Sequence, residues 1–236
     1  MCSYHYRRTT IGNTILTAMK KSIVLFWLLF LSFQSFCQMN SVGYDSAIAE
    51  TFDLLNGKPF AEIQLEDTSG QLFHTSSLLG KTIYADFWFT LCSPCVKEIP
   101  FSKSLHQFFD STNDLVFLNI CIENKERKQA WKDMVKEKAM PGIQLFYELN
   151  RPQKINLLRE FKVTFPTYVL VNKDMKVIGY DAPHPSQEGF VHWAISQATQ
   201  GTLLSESYRQ MMCRTSNYLS FINQNQERIV SLRDKE

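Results

Sequence analysis

The chain has no internal repeat and no low-complexity stretch, which sets aside solenoids and compositionally disordered architectures. Its 25 basic and 23 acidic residues leave a net charge of +2. No basic surplus exists to follow a phosphate backbone, so a nucleic-acid partner is not expected. Cysteine is sparse. Six residues in a chain of 236 are too few for a disulfide-stapled scaffold, and Cys2, Cys37, Cys121 and Cys213 stand singly. Cys121 falls inside an apolar run and reads as a small buried core residue; Cys213 reads as a free surface thiol, with a dimer bridge as the alternative. His74, His106, His184 and His192 share no common spacing, and one Cys-x-x-Cys supplies only half of a closed zinc site. Neither a metal nor a cofactor is expected.

Long hydrophobic runs are also lacking. Met19-Lys20-Lys21 precedes an apolar run from Ser22 to Phe33, shorter than the roughly 20 residues that a spanning helix prefers. This is the charged n-region and short h-region of a secretory signal, with Ser35-Phe36-Cys37 as a small-residue cleavage site before Gln38. An uncleaved anchor and a lipid-modified Cys37 are the two other readings. All three place the rest of the chain outside the cytoplasm, periplasmic or otherwise extracytoplasmic. Membrane contact would come only through such an anchor or lipid. Residues 1–18 are polar and unpatterned, so Met19 is an alternative start.

What the sequence does have is Ile83-Tyr84-Ala85-Asp86-Phe87-Trp88-Phe89, an apolar run that reads as a buried strand, leading into Cys92-Ser93-Pro94-Cys95. Residues three apart share a helix face, and at that separation two cysteines open and close a disulfide with little backbone movement. If Cys92 caps the helix, unpaired N–H groups and the helix dipole favour its thiolate. Lowering a thiol pKa from about 8.5 to about 7 takes ~2 kcal/mol, within reach of such a site. Cys95, one turn in, would be shielded and act as the resolving thiol. Pro94 suits the first turn, where its missing N–H costs nothing.

Residues 41–57 read as a helical lead-in, and Phe60–Leu65 alternates as a strand. Asp67-Thr68-Ser69-Gly70 turns it into a hairpin with Gln71–His74. After the cysteines, apolar spacing predicts a helix to about Phe109. Leu115–Ile122 is a second buried strand, Glu123–Lys138 an amphipathic helix, Ile143–Tyr147 a strand and Gln153–Phe161 a short helix. A strand pair follows, with Pro166 at the entry of the first and Met175–Tyr180 as the second; proline is confined to such sheet positions. Glu188–Gln200 reads as a helix. Leu203–Leu232 reads as one or two polar helices with Tyr208, Met211, Met212, Tyr218, Leu219, Phe221 and Ile222 as the packing stripe. Asp181-Ala182-Pro183-His184-Pro185 is a loop that could rim the site, with loop stiffness as the preferred explanation.

This order of elements resembles the thioredoxin fold. The sequence resembles the extracytoplasmic thioredoxin-like thiol-disulfide oxidoreductases of the TlpA and ResA type over roughly residues 58–200. The residues that carry the resemblance are Leu65–Gly70, Asp86-Phe87-Trp88, Cys92-Ser93-Pro94-Cys95 with Glu98 and Pro100, and Phe165-Pro166-Thr167 ahead of Val169–Asp174. It implies an α/β class with a central mixed sheet flanked by helices, an N-terminal β-hairpin, a C-terminal helical extension, and Pro166 cis and facing the cysteine pair. The domain reading is 1–38 for the leader, 39–57 for the lead-in, 58–200 for the thioredoxin-like domain and 201–236 for the extension.

Asp86 matches the buried carboxylate of thioredoxins. Desolvation would raise its pKa and suit it to exchange a proton with Cys95; the plainer reading is an acid hydrogen-bonded at a strand end. Glu98 matches the glutamate that follows the motif in this subfamily, against the plainer reading of a solvent-facing helix residue. Leu91 stands where the family usually has Trp, and Phe165 where a smaller residue is common, so these two, with Pro94 and Pro166, are the expected substrate-groove residues. The resemblance implies protein disulfide or dithiol substrates and an upstream protein thiol donor. Two rival readings are a thiol peroxidase, whose Pro-x-x-x-Thr-x-x-Cys pattern is not matched by Thr90, and a non-catalytic binding module.

Overall fold

Seven strands form one mixed sheet in the order β2-β1-β5-β4-β3-β6-β7, seen in a computed structural model that describes residues 44–149 and 157–234. The strands are β1 Gln64–Asp67, β2 Leu72–His74, β3 Thr82–Trp88, β4 Leu115–Glu123, β5 Ile143–Glu148, β6 Thr167–Val171 and β7 Val177–Tyr180. The helices are α1 Tyr44–Asp53, α2 Ser93–Phe108, α3 Lys128–Glu137, α4 Leu157–Glu160, α5 Phe190–Thr199, α6 Leu204–Met212 and α7 Ser216–Arg233. The proposed signal segment and Cys37 lie outside the described residues.

The centre is parallel, β3 against β4 and β4 against β5, while β6 runs antiparallel to β3 on the other side. Every residue of β3 is buried, as a central strand covered on both faces requires. The period of two in a strand then sorts its side chains. Ile83, Ala85 and Phe87 enter a core with Leu118, Ile120, Leu157 and Phe161. Tyr84 enters the opposite core with Leu105 and Phe108 of α2, Val191 and Ile195 of α5, and Leu204 and Tyr208 of α6. Asp86 sits on this second face, between Tyr84 and Trp88.

The expected strand Phe60–Leu65 is displaced. Ile63 and Leu65 are buried as the alternation requires, and Phe60 is buried outside that alternation, but the N–H groups of Phe60 and Ile63 find partners outside a ladder, the Met175 carbonyl at 2.7 Å and Thr75 Oγ1 at 2.9 Å. Pairing with β2 and β5 therefore begins only at Gln64 and Glu66. The hairpin turn is built by Asp67, whose Oδ1 accepts from Ser69 N–H, Ser69 Oγ and Gln71 N–H.

The C-terminal segment forms two helices that belong to the same compact unit as the sheet. Leu204, Tyr208 and Ile229 are buried, whereas Met212 and Leu219, expected in the packing stripe, are exposed. α7 lies along α2: Ser104 Oγ donates to the Leu232 carbonyl at 3.3 Å, and the Arg228 guanidinium sits 4.7 Å from the Phe108 ring centroid. Trp193 Nε1 donates to the Ser207 carbonyl at 3.0 Å, tying α5 to α6. Cys213 is disulfide-bonded, which corrects the expectation of a free thiol; a single cysteine in sequence carries no sign of such a bond.

The α6–β7 contact is close enough to need glycine. A Cβ on Gly179 would stand 2.6 Å from Leu204 Cβ, so overpacking strain follows any larger residue. Gly179→Ala is expected to destabilise by ~1–3 kcal/mol, read as a lower urea midpoint with an unchanged m-value.

Candidate active site

The β3 strand ends at Trp88, and four residues later Cys92 caps α2 in extended conformation, with its Sγ accepting the Cys95 N–H at 3.2 Å. The chain folds this way because Ser93 and Pro94 occupy the first helical turn, where proline is tolerated and free N–H groups point back at the cap. Cys92 and Cys95 are joined in a disulfide with Cα atoms 5.2 Å apart. Both are buried, in a cluster with Trp88, Cys121, Trp131 and Phe146. In the reduced state the same cap geometry places a Cys92 thiolate at the positive end of the helix dipole.

Phe165 and Phe89 are partly buried against that cluster and meet edge to face at 4.8 Å. The Phe165–Pro166 bond is cis, and Pro166 is half-buried at the entry to β6. Leu91 is 67% exposed, and Pro94 is exposed beside it. Of the groove residues inferred from sequence, Phe165 packs against the cluster that holds the pair, and Leu91 and Pro94 flank Cys92 in sequence, with Leu91 as an apolar side chain left to solvent.

Behind the cysteines, Asp86 is buried and its Oδ1 has no hydrogen-bond partner among the described residues. It shares a small cavity between the sheet and α2 with Ser102, Leu105, Asn119 and Tyr168. Burial, and then the Glu98 charge, push its carboxyl up to about 8, with His184 acting weakly the other way. The plainer reading of a hydrogen-bonded strand-end acid does not describe it.

Glu98 is also buried rather than solvent-facing, yet its situation is the reverse. Burial alone would raise its pKa, but His184 and Ser186 outweigh that and hold it below the usual value. Ser186 N–H donates to Oε2 and Ser186 Oγ to Oε1, both at 2.8 Å, and His184 Nδ1 lies 3.7 Å from Oε1. These partners come from the loop after β7, which loop stiffness alone had seemed to explain. Nothing in its local sequence marks His184 as facing α2.

A third acid closes β4. Glu123 is buried; it accepts Thr90 N–H at 3.1 Å and Thr90 Oγ1 at 2.9 Å, and pairs with Arg127 Nε at 2.6 Å. Arg127 also donates to Thr90 Oγ1, so the turn into Cys92 is pinned from below. Sequence reading assigned Glu123 to a helix start; a carboxylate closing an apolar strand was the available signal. Burial, with the Glu123 charge, keeps the Cys121 thiol protonated far above its ordinary range.

The family model described as Redoxin matches residues 55–193, more than half of the chain. The chain belongs to the Redoxin family. Among curated relatives, this redoxin is 27% identical over 148 residues to thiol-disulfide oxidoreductase ResA of Bacillus subtilis (strain 168), covering 60% of this chain and 75% of that protein. It is 27% identical over 164 residues to the ResA of Bacillus thuringiensis (strain Al Hakam), covering 68% and 88%. A solved Bacteroides vulgatus protein assigned as a thiol-disulfide oxidoreductase superposes with a TM-score of 0.52 at 25% identity, covering 64% of this redoxin and 99% of that chain. The redoxin is thus a thioredoxin-like oxidoreductase of the ResA type, and α6 and α7 lie beyond the matched segment.

Two outcomes are expected. Asp86 has a folded-state pKa above its unfolded value of 3.8, so native protein holds a proton that unfolded chain has lost, and stability falls as pH rises towards about 8. Asp86→Asn should gain on the wild type by up to ~1.4 kcal/mol per pH unit over that window, measured by urea unfolding near its two ends. Thr90→Val removes a hydroxyl from the Glu123–Arg127 pair and should cost ~1–3 kcal/mol in the same assay.

Proposed function

We propose that the protein is an extracytoplasmic thiol-disulfide oxidoreductase that exchanges disulfides with partner proteins through Cys92 and Cys95. The observation that carries this is the closed Cys92–Cys95 disulfide at the start of α2 with an unpartnered buried acid behind it. Residues 58–200 form the working body in this reading. The location rests on the signal-like run at Met19–Phe33, which lies outside the described residues, and on the likeness to ResA.

In the forward direction the Cys92 thiolate attacks one sulfur of a partner disulfide. The partner S–S bond breaks, a Cys92–partner bond forms, and the released sulfur takes a proton from water. Cys95 then gives its proton to ionised Asp86 and attacks Cys92 Sγ. The second partner sulfur leaves, and two electrons have passed from the Cys pair to the partner. The resulting oxidised state is the one described above, with the proton on Asp86. In the return step a protein dithiol attacks Cys92, and Asp86 returns the proton to the departing Cys95. Because ionised Asp86 is the acceptor, resolution by Cys95 accelerates as pH rises through about 8.

Leu91, Phe89, Phe165 and Pro166 form the apolar rim on which an extended partner segment would lie, adding main-chain hydrogen bonds as in strand addition. A thiol peroxidase has no comparable support, since Thr90 Oγ1 is taken up by Glu123 and Arg127.

The test is capture. Cys95→Ala is expected to accumulate a mixed disulfide through Cys92 with its partner, identifiable by mass spectrometry, and Cys92→Ser to lose disulfide reduction altogether. A Cys92→Ser variant working at the wild-type rate would refute the assignment.

A further inference from the structure

Two buried carboxylates face each other's charge near the redox pair, and their hydrogen bonding is unequal. Both oxygens of Glu98 are engaged by the loop after β7, whereas Asp86 Oδ1 has no partner among the described residues. Hydrogen bonds to a carboxylate favour its charged form, and burial without them favours the neutral one. The loop therefore decides which acid keeps a proton.

That loop is held by the same residues that enclose Asp86. Tyr168, the register partner of Asp86 on β6, accepts Ala182 N–H on its carbonyl at 2.9 Å, and its ring lies 5.0 Å from the His184 ring. Tyr84, on the same face of β3, donates its hydroxyl to the Pro183 carbonyl at 2.7 Å. His184 N–H donates to Gln187 Oε1 at 2.7 Å. His184 is thus fixed between the buried acids and solvent, with its side chain 35% exposed.

We infer that His184 is a positioning residue of the redox centre: set between Glu98 and Tyr168, its imidazolium pairs with the Glu98 carboxylate that Ser186 also holds, and so limits how far that charge acts on Asp86. The groups acting on His184 are Glu98 from α2, Asp86 from β3, Tyr168 from β6 and Asp181 from its own loop. Those acting with Asp86 are Glu98, His184, Tyr84, Tyr168 and the Cys121 thiol. His184 is held protonated above its ordinary range, chiefly by Glu98. Its cation lowers the Asp86 pKa while the Glu98 anion raises it. While Ser186 keeps Glu98 ionised through its two bonds, removing one or the other moves Asp86 in opposite directions. This rests on the reading of Asp86 as the proton partner of Cys95 for its functional meaning, but not for its electrostatics.

The experiment is a carbon-13 carboxyl titration of the full-length oxidised protein, with the Asp86 signal assigned by its loss in Asp86→Asn. His184→Gln should raise the Asp86 midpoint and Glu98→Gln should lower it, each by about half to one pH unit. Overlaid midpoints would overturn the inference, and so would shifts in the same direction, which mean that losing His184 protonates Glu98 instead of exposing Asp86 to its charge. A second measurement separates the two readings: the pH dependence with which Cys95 releases a small aromatic thiol from Cys92. If Asp86→Asn leaves that profile unchanged, the proton-partner reading fails while the role of His184 in placing the charge stands. If Asp86→Asn flattens it, the profiles of His184→Gln and Glu98→Gln should move with their titrations; profiles that stay in place would overturn the role of His184 in the reaction.

Discussion

A carboxyl group placed inside the central strand is the constraint on which the rest of this structure depends. Asp86 occupies a position that period-two packing would give to an apolar residue, on the face that receives the redox helix. Burying an unpaired carboxylate is too costly to persist, so the group stays protonated through neutral pH. The protein accepts that strain beside the Cys92–Cys95 pair. Functional sites are where such local disagreements with good packing are expected.

Around that point the protein treats its three buried acids differently. Glu98 is given donors from a distant loop and stays charged. Glu123 is given Thr90 and Arg127 and serves as a post for the turn into Cys92. Asp86 is left with a small cavity and two tyrosines. Identical chemistry thus yields a held charge, a structural anchor and a carboxyl pushed up to about 8, according to which donors the fold delivers.

The strand-turn-helix around the cysteines was legible because its signals are local: an apolar run of the right length, then a helix start with proline in its first turn. Asp86 was legible for a related reason, a charge within an apolar run. The first strand of the hairpin starts later than its apolar residues suggest because Phe60 and Ile63 bond their N–H groups to Met175 and Thr75, contacts that alternation does not encode. His184 and Ser186 escaped notice because their partner lies 88 positions away for Ser186, and a Pro-His-Pro loop looks the same whether or not it meets a carboxylate. Cys213 shows the same limit: a lone cysteine in sequence leaves no periodic trace of its bond.

The packing of α7 along α2 has a mechanical consequence. At its first turn α2 carries the bond that opens and closes; towards its other end Phe108 lies under Arg228, and Ser104 is bonded to the Leu232 carbonyl. A beam clamped at the far end transmits little rotation. Any change of geometry when the Cys92–Cys95 bond opens is then taken up at the near end, within Phe89–Cys92 and the Phe165–Pro166 edge.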